Sequence, residues 1–295
     1  MSELVLRSSR PTPLRTLLSP AALVADLVRY GDLLRQFARR EVEARHKGTL
    51  LGAAWTVVNP LIQLLIYTFV FGIVFEMKWN RLPGAGGGPA DPDGARPGEF
   101  ALTFFAAYVA FTVFQECATR ASGLIADRPN LVRKVVFPLE VLPVSVLLAQ
   151  LFYAAIGVVL LLAAALIATG SISPTLWLFP LVCVPLSMFA LAAGWLVSAL
   201  GVYIRDLKQV VPVVTQMLFF ATPIFYPLKN VPEEYRPVME ANPFTPLVEM
   251  ARQTLLWGEV PDWWTWGALT LGGAVAMQLS YAWFMRARRG FADVV

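Results

Sequence analysis

Few residues in this sequence have the type and spacing that catalysis needs. A membrane enzyme uses a nucleophile with a base, paired carboxylates or a metal cluster. The chain has one histidine, His46, in a basic stretch, and no HExxH, DxxD or Cys/His cluster. Cys117 and Cys183 lie inside apolar runs and read as buried small hydrophobes rather than a disulfide or metal pair. No lysine follows a glycine, so the phosphate-cradling GxxxxGK[ST] loop is absent. Glu116 alone approaches the interior of an apolar run, near its end. An ion-coupled carrier usually keeps ionisable groups at membrane depth as its relay, so this pattern disfavours both an enzyme and such a carrier. No metal or cofactor is expected in this chain. If transport is active, the energy enters through another subunit.

The elements that would position these residues are membrane helices. Of 295 residues, 57% are hydrophobic and 15% charged, with a net charge of +4, and the mean hydropathy is +0.60. Soluble domains are typically about 45–50% apolar and about 25% charged. A bilayer core needs roughly 20 apolar residues in a helix, and six runs approach that: 60–75 (extending back through Val57), 100–118, 141–169, 176–204, 210–226 and 264–285. Pro212 and Pro223 mark the fifth, and membrane helices tolerate proline when neighbours satisfy the freed carbonyls. With six spans, 18 Lys and Arg fall on one side and 6 on the other. That bias places both termini in the cytoplasm. The charge is too mild to argue for nucleic acid.

Between the runs, residues 26–47 read as an amphipathic helix. Tyr30, Leu33, Leu34, Phe37, Ala38 and Val42 recur at helical spacing, and Glu41/Arg45 and Glu43/Lys47 form i,i+4 pairs. Such a helix can lie in the headgroup plane, as a topology anchor or as a docking surface. Residues 79–99 are rich in Gly and Pro and read as an external loop. In the connection 229–262, Phe244, Leu247, Val248, Ala251 and Leu255 mark a helix too short to span, hence interfacial or re-entrant. Four prolines (Pro232, Pro237, Pro243, Pro246) break the segment into two short helices, and Glu249 and Arg252 can pair along the second. Trp257, Trp263, Trp264 and Trp266 suit an aromatic belt at the headgroup level.

Four ordered strings carry a family resemblance: RREVEARHKGTLLGAAWTVVNPLIQLLIYTFVFG at 39–72, NLVRKVVFPLEVLPVS at 130–145, YIRDLKQVVP through FFATPIFYP at 203–227, and NPFTPLVEMAR at 242–252. Together they resemble the type-2 ABC exporter permeases for polysaccharides, over about residues 35–285, and most closely the O-antigen branch. Residues 79–99 depart from that family's short first loop and read as an insertion.

The resemblance implies an all-α integral membrane protein with six spans, an N-terminal interface helix and short external re-entrant helices before the sixth. The chain then divides into an N-terminal segment 1–25, the interface helix and following turn 26–56, the permease domain 57–285 and a cytoplasmic tail 286–295. It implies a homodimer in the bacterial inner membrane, two copies of an ATPase that binds ATP and magnesium, and a lipid-linked polysaccharide as substrate. Arg133, Lys134, Phe137, Pro138 and Glu140 become candidates for ATPase coupling, and Arg39, Arg40, Glu41 and Arg45 for the interface helix. Tyr67, Phe71, Phe219, Phe220, Phe225 and Tyr226 become candidate channel-lining residues, because aromatic faces stack on the apolar faces of sugars while a polymer slides. Phe244, Leu247, Val248, Glu249 and Arg252 mark the re-entrant segment. Related permeases for teichoic acid, capsule, lipid or drug are the alternative, and an ion-coupled carrier is the remaining one.

Overall fold

The computed structural model describes residues 19–45, 48, 51–75, 98–132 and 137–294, with only the backbone described for Ala22, Ala53, Phe71 and Gly72, and contains no strand among them. Arg133, Lys134, His46 and nearly all of the 79–99 insertion lie outside the described residues.

Two short helices come first, α1 (Pro20–Arg29) and α2 (Gly31–Ala44). The single helix expected over 26–47 is thus divided, and it starts earlier. Pro20 sits at the start of α1, where its missing N–H costs nothing. Tyr30 leaves the helical region (φ −98, ψ 18), and Gly31, a weak helix former, follows it. The first apolar run is α3 (Trp55–Tyr67), continued by a π-helical stretch Thr68–Val74. The second is α4 (Glu99–Ala121), with an acid at its positive end.

Helix α5 (Val141–Thr169) ends at Gly170, whose φ of 71 is the left-handed conformation that closes helices at little cost to glycine. One turn of 3-10 helix, Leu176–Leu178, then opens α6 (Phe179–Tyr203), so α5 and α6 form a hairpin across a short connection. Helix α7 (Leu207–Ala221) stops five residues short of the expected 226. Thr222 is extended (φ −99, ψ 137) because Pro223 follows, and a residue before proline is pushed out of the helical region. Two short helices come next, α8 (Arg236–Glu240) and α9 (Phe244–Arg252), the latter extended by a π turn Gln253–Trp257. Helix α10 (Trp263–Ala287) is capped by Asp262, which accepts from the N–H groups of Trp264 and Thr265. The cap residue holds its proton less tightly than an ordinary aspartate, chiefly through its hydrogen bonds from Thr265.

All six apolar runs are helical. Among the described residues, three stretches, α4, α5 and Leu176–Tyr203, are long and apolar enough to cross a membrane. Trp55–Val70 and α7 are apolar but shorter, and α10 has the length with a more mixed composition.

The core forms around α4, which packs against α5, α6, α7 and α9. Without a hydrophobic drive inside lipid, helices rely on close approach through small residues. Gly201 of α6 lies against the backbone carbonyl of Ser122, where any Cβ would overlap it. Gly157 of α5 and Gly273 of α10 make close approaches to side chains instead, those of Val109 and Met188. The outward faces are apolar, for example Leu65 on α3, Phe69 on the π-helical stretch after it, Ile167 on α5 and Met217 on α7. That inverted pattern suits an apolar surround. Trp257 departs from the belt expectation: it is 5% exposed and packs in the core, whereas Trp264 is 85% exposed.

Candidate functional site

Helix α2 is bound to the transmembrane helices by charge. Glu41 is buried and faces Arg120 at 3.6 Å and Arg128. Arg45 reaches Glu116 at 3.7 Å and lies 4.7 Å from the Tyr153 ring centroid, and the Tyr153 hydroxyl donates to the Val42 carbonyl at 3.0 Å. The local Glu41/Arg45 pair expected from spacing is therefore replaced by partners from α4 and the segment after it. A carboxylate on the buried face needs cations that the fold brings to it. Glu116, near the end of its apolar run, joins this set and also accepts from Arg120 at 3.3 Å. Arg39 stays on the exposed face with Glu43 at 2.7 Å, which raises its already high pKa. Arg40 lies over the Phe37 ring at 5.5 Å.

The coupling candidates follow α4. Pro129 begins a one-turn helix, Pro129–Val132. Phe137 is half-buried, and its ring sits 5.3 Å from that of Phe37 on α2. Pro138 is buried. Glu140 is 1% exposed, and Arg288 from the C-terminal end reaches it at 2.6 Å while donating to the Phe137 carbonyl at 2.7 Å. The Trp195 indole donates to the Glu140 carbonyl at 3.1 Å. Glu140 thus fixes this segment from within and offers no outward charge.

The channel candidates converge in part. Tyr67 lies 5.7 Å from Phe225, and Phe225 lies 5.1 Å from Phe219 and 5.5 Å from Phe220. Phe219 and Phe225 are buried, Phe220 is exposed, and the Tyr226 hydroxyl donates to the Phe220 carbonyl at 2.9 Å. Three further aromatics from α4 complete the set. Phe104 sits 4.5 Å from Tyr67, Tyr108 6.3 Å from Phe219, and Phe111 5.4 Å from Phe219 and 5.6 Å from Phe244. Their spacing, i, i+4 and i+7, was the available signal for one shared face.

The segment between α7 and α10 is locked by Arg252. Phe244, Leu247 and Val248 are buried as expected, and Glu249 meets Arg252 at 3.1 Å. Beyond that pair, the fully buried Arg252 guanidinium donates to the carbonyls of Thr103 (3.1 Å) and Ile224 (2.8 Å), so one side chain joins α4, the end of the α7 connection and α9. Asn242 adds a bond to the Thr222 hydroxyl at 2.9 Å. Glu234 is exposed.

A cavity of about 350 Å³ opens between α3, α4 and α5, with Arg45, Trp55, Glu116 and Tyr153 in its lining. No group of three or more His, Cys, Asp or Glu that could hold a metal ion occurs among the described residues.

Comparison with known proteins matches residues 32–256 to the family described as ABC-2 type transporter. The O-antigen export system permease protein RfbA of Myxococcus xanthus is 30% identical over 278 residues, 92% of this chain and 99% of that relative. A protein of the same name from Klebsiella pneumoniae is 25% identical over 74% of this chain and 77% of its own length. The polysialic acid transport protein KpsM of Escherichia coli is 21% identical over 76% of this chain and 81% of its own.

Proposed function

The chain belongs to the ABC-2 type transporter family, and from that premise we propose that it is the permease of an ATP-driven exporter that moves a lipid-linked, O-antigen-like polysaccharide across the bacterial cytoplasmic membrane. The observation that carries this reading is a match to an O-antigen export permease over nearly the full length of both chains. In this reading the six apolar helices span the bilayer with both termini in the cytoplasm, α1 and α2 lie at the inner surface, and α8 and α9 dip into the outer side. Two copies meet through α3 and α7, and two ATPase subunits below them hold ATP and magnesium.

The geometry supports a division of labour. Aromatics from α3, α4 and the α7 end gather into one set, which offers apolar faces on which sugar rings slide. Arg133, Lys134 and Phe137 form the segment that meets the ATPase, with Pro138 and Glu140 anchoring it. Phe137 touches Phe37, so a push on this segment reaches the interface helix directly. Arg39 and Arg40 stay on the exposed side of that helix.

The test is purification of the chain with its genetic partner ATPase, followed by reconstitution in vesicles. The expected complex holds two copies of each subunit, and ATP alone drives polymer across. Transport driven by an ion gradient without the ATPase would instead establish a carrier.

A further inference from the structure

The cavity between α3, α4 and α5 is polar where a membrane bundle is ordinarily apolar. Asn59 and Gln63 line it from α3, Thr112 and Glu116 from α4, and Gln150 from α5. Gln150 is only 4% exposed. Asn59 is exposed and Gln63 half-buried, and both border the same space as Gln150. Polar side chains set among apolar helices cost free energy unless something hydrogen-bonds to them, so this lining suits an occupant that both donates and accepts hydrogen bonds. At 350 Å³ the volume corresponds to on the order of ten waters, too large for one bridging water.

The lining also identifies the occupant. Trp55, Tyr108 and Tyr153 add aromatic faces. Arg45 and Glu116 contribute one charge of each sign and lie 3.7 Å apart, so the site has no net demand for an anion. Planar amides, a paired cation and carboxylate, and aromatic platforms together fit a neutral ring that carries hydroxyls on its edge and C–H groups on its face. We infer that this cavity is a sugar-binding site, and that it takes the sugar joined directly to the lipid carrier.

Its level in the fold supports the second part. Trp55 opens α3, Glu116 is near the end of α4, and Arg45 follows α2, so the cavity lies at the interface-helix end of the bundle. A lipid tail holds only the first sugars of its polymer at that depth. Tyr108 lines the cavity and also lies 6.3 Å from Tyr67 and 6.3 Å from Phe219, so the sugar site borders the aromatic set directly. The inference rests on the polysaccharide-export reading and adds to it a loading site within one subunit.

The experiment uses cells that carry the chain with its own ATPase and polysaccharide-synthesis enzymes, fed radiolabelled sugar. A photo-cross-linker at Asn59 (Asn59→p-benzoylphenylalanine), on the cavity rim, should capture a labelled, lipid-bearing saccharide at least tenfold better than one at Ile167, on the outer apolar face. Adding Gln150→Leu should lower that capture about tenfold, the scale of one or two lost hydrogen bonds, while the protein keeps its membrane level and elution volume. Export by the unsubstituted chain with no capture at Asn59 overturns the site and leaves the export reading standing. Capture of lipid phosphate without sugar, or capture unchanged by Gln150→Leu, also overturns it, the first by making the cavity a lipid headgroup site. Absence of export by the unsubstituted chain overturns the export reading and this site with it.

Discussion

Arg252→Met is the sharpest perturbation of the segment between α7 and α10. The substitution keeps a long side chain but removes a buried charge that donates to two carbonyls and pairs with Glu249. A hydrogen bond to a charged group contributes about 1.5–3 kcal/mol, and breaking a buried pair costs about 3–5 kcal/mol. Glu249 is partly exposed and rehydrates, and Thr103 lies within helix α4, so the loss should fall near the lower end, about 3 kcal/mol. That is roughly a hundredfold rise in the population with α9 lifted from α4. The assay is the modification rate of Val248→Cys by a membrane-impermeant thiol reagent in intact cells, compared with and without the Arg252→Met substitution. Val248 is 1% exposed, so its reaction reports opening. Arg252→Lys should fall between, because an ammonium cannot serve both carbonyls and the carboxylate in one geometry. Equal labelling rates with arginine, lysine and methionine at this position would refute the lock.

Phe137→Asp should leave ATP hydrolysis running while export falls on the order of tenfold, and Phe37→Ala should reproduce part of the defect by removing the other ring; paired hydrolysis and export rates decide it. Gly201→Ala should lower the thermal stability of the purified protein by about 1–3 kcal/mol, because the added Cβ meets the backbone carbonyl of Ser122, which cannot rotate away; an unchanged melting curve would contradict the contact. The folded pKa of Asp262 is depressed, so its cap contributes above the unfolded aspartate pKa and is lost as pH falls through the lower folded value. Amide exchange at Trp264 and Thr265, corrected for intrinsic rate, should therefore accelerate in that acid window, and Asp262→Ala should show the faster rate at neutral pH.

Long unbroken apolar runs made α4, α5 and α6 legible to within a few residues, because nothing in those stretches competes with a helix. The end of α7 was written in Thr222-Pro223, where a local steric rule cuts a run that apolarity alone would continue. The amphipathic face of α2 could be read from its period, but the partners of Glu41 and Arg45 could not, since they come from residues 71 or more positions away. The same limit hid Arg252: its i+3 spacing from Glu249 describes a surface pair, while its burial depends on Thr103 and Ile224. Within an all-apolar helix such as α4, spacing groups Phe104, Tyr108 and Phe111 on one face but does not say whether that face meets the core or the surround, which their contacts with Tyr67 and Phe219 settle. Asn59, Gln63 and Gln150 are scattered over two helices and converge only in the fold.

The central claim is that this chain conducts a polysaccharide with energy from a separate ATPase. Surface polymer measured in cells that make the lipid-linked chain but lack their own permease tests it most directly. The account predicts surface polymer when this chain and its active ATPase are both present, and polymer retained inside the cell when the ATPase cannot hydrolyse ATP. Surface polymer appearing at the same level with the inactive ATPase, or none appearing with both active subunits in the membrane, would contradict it.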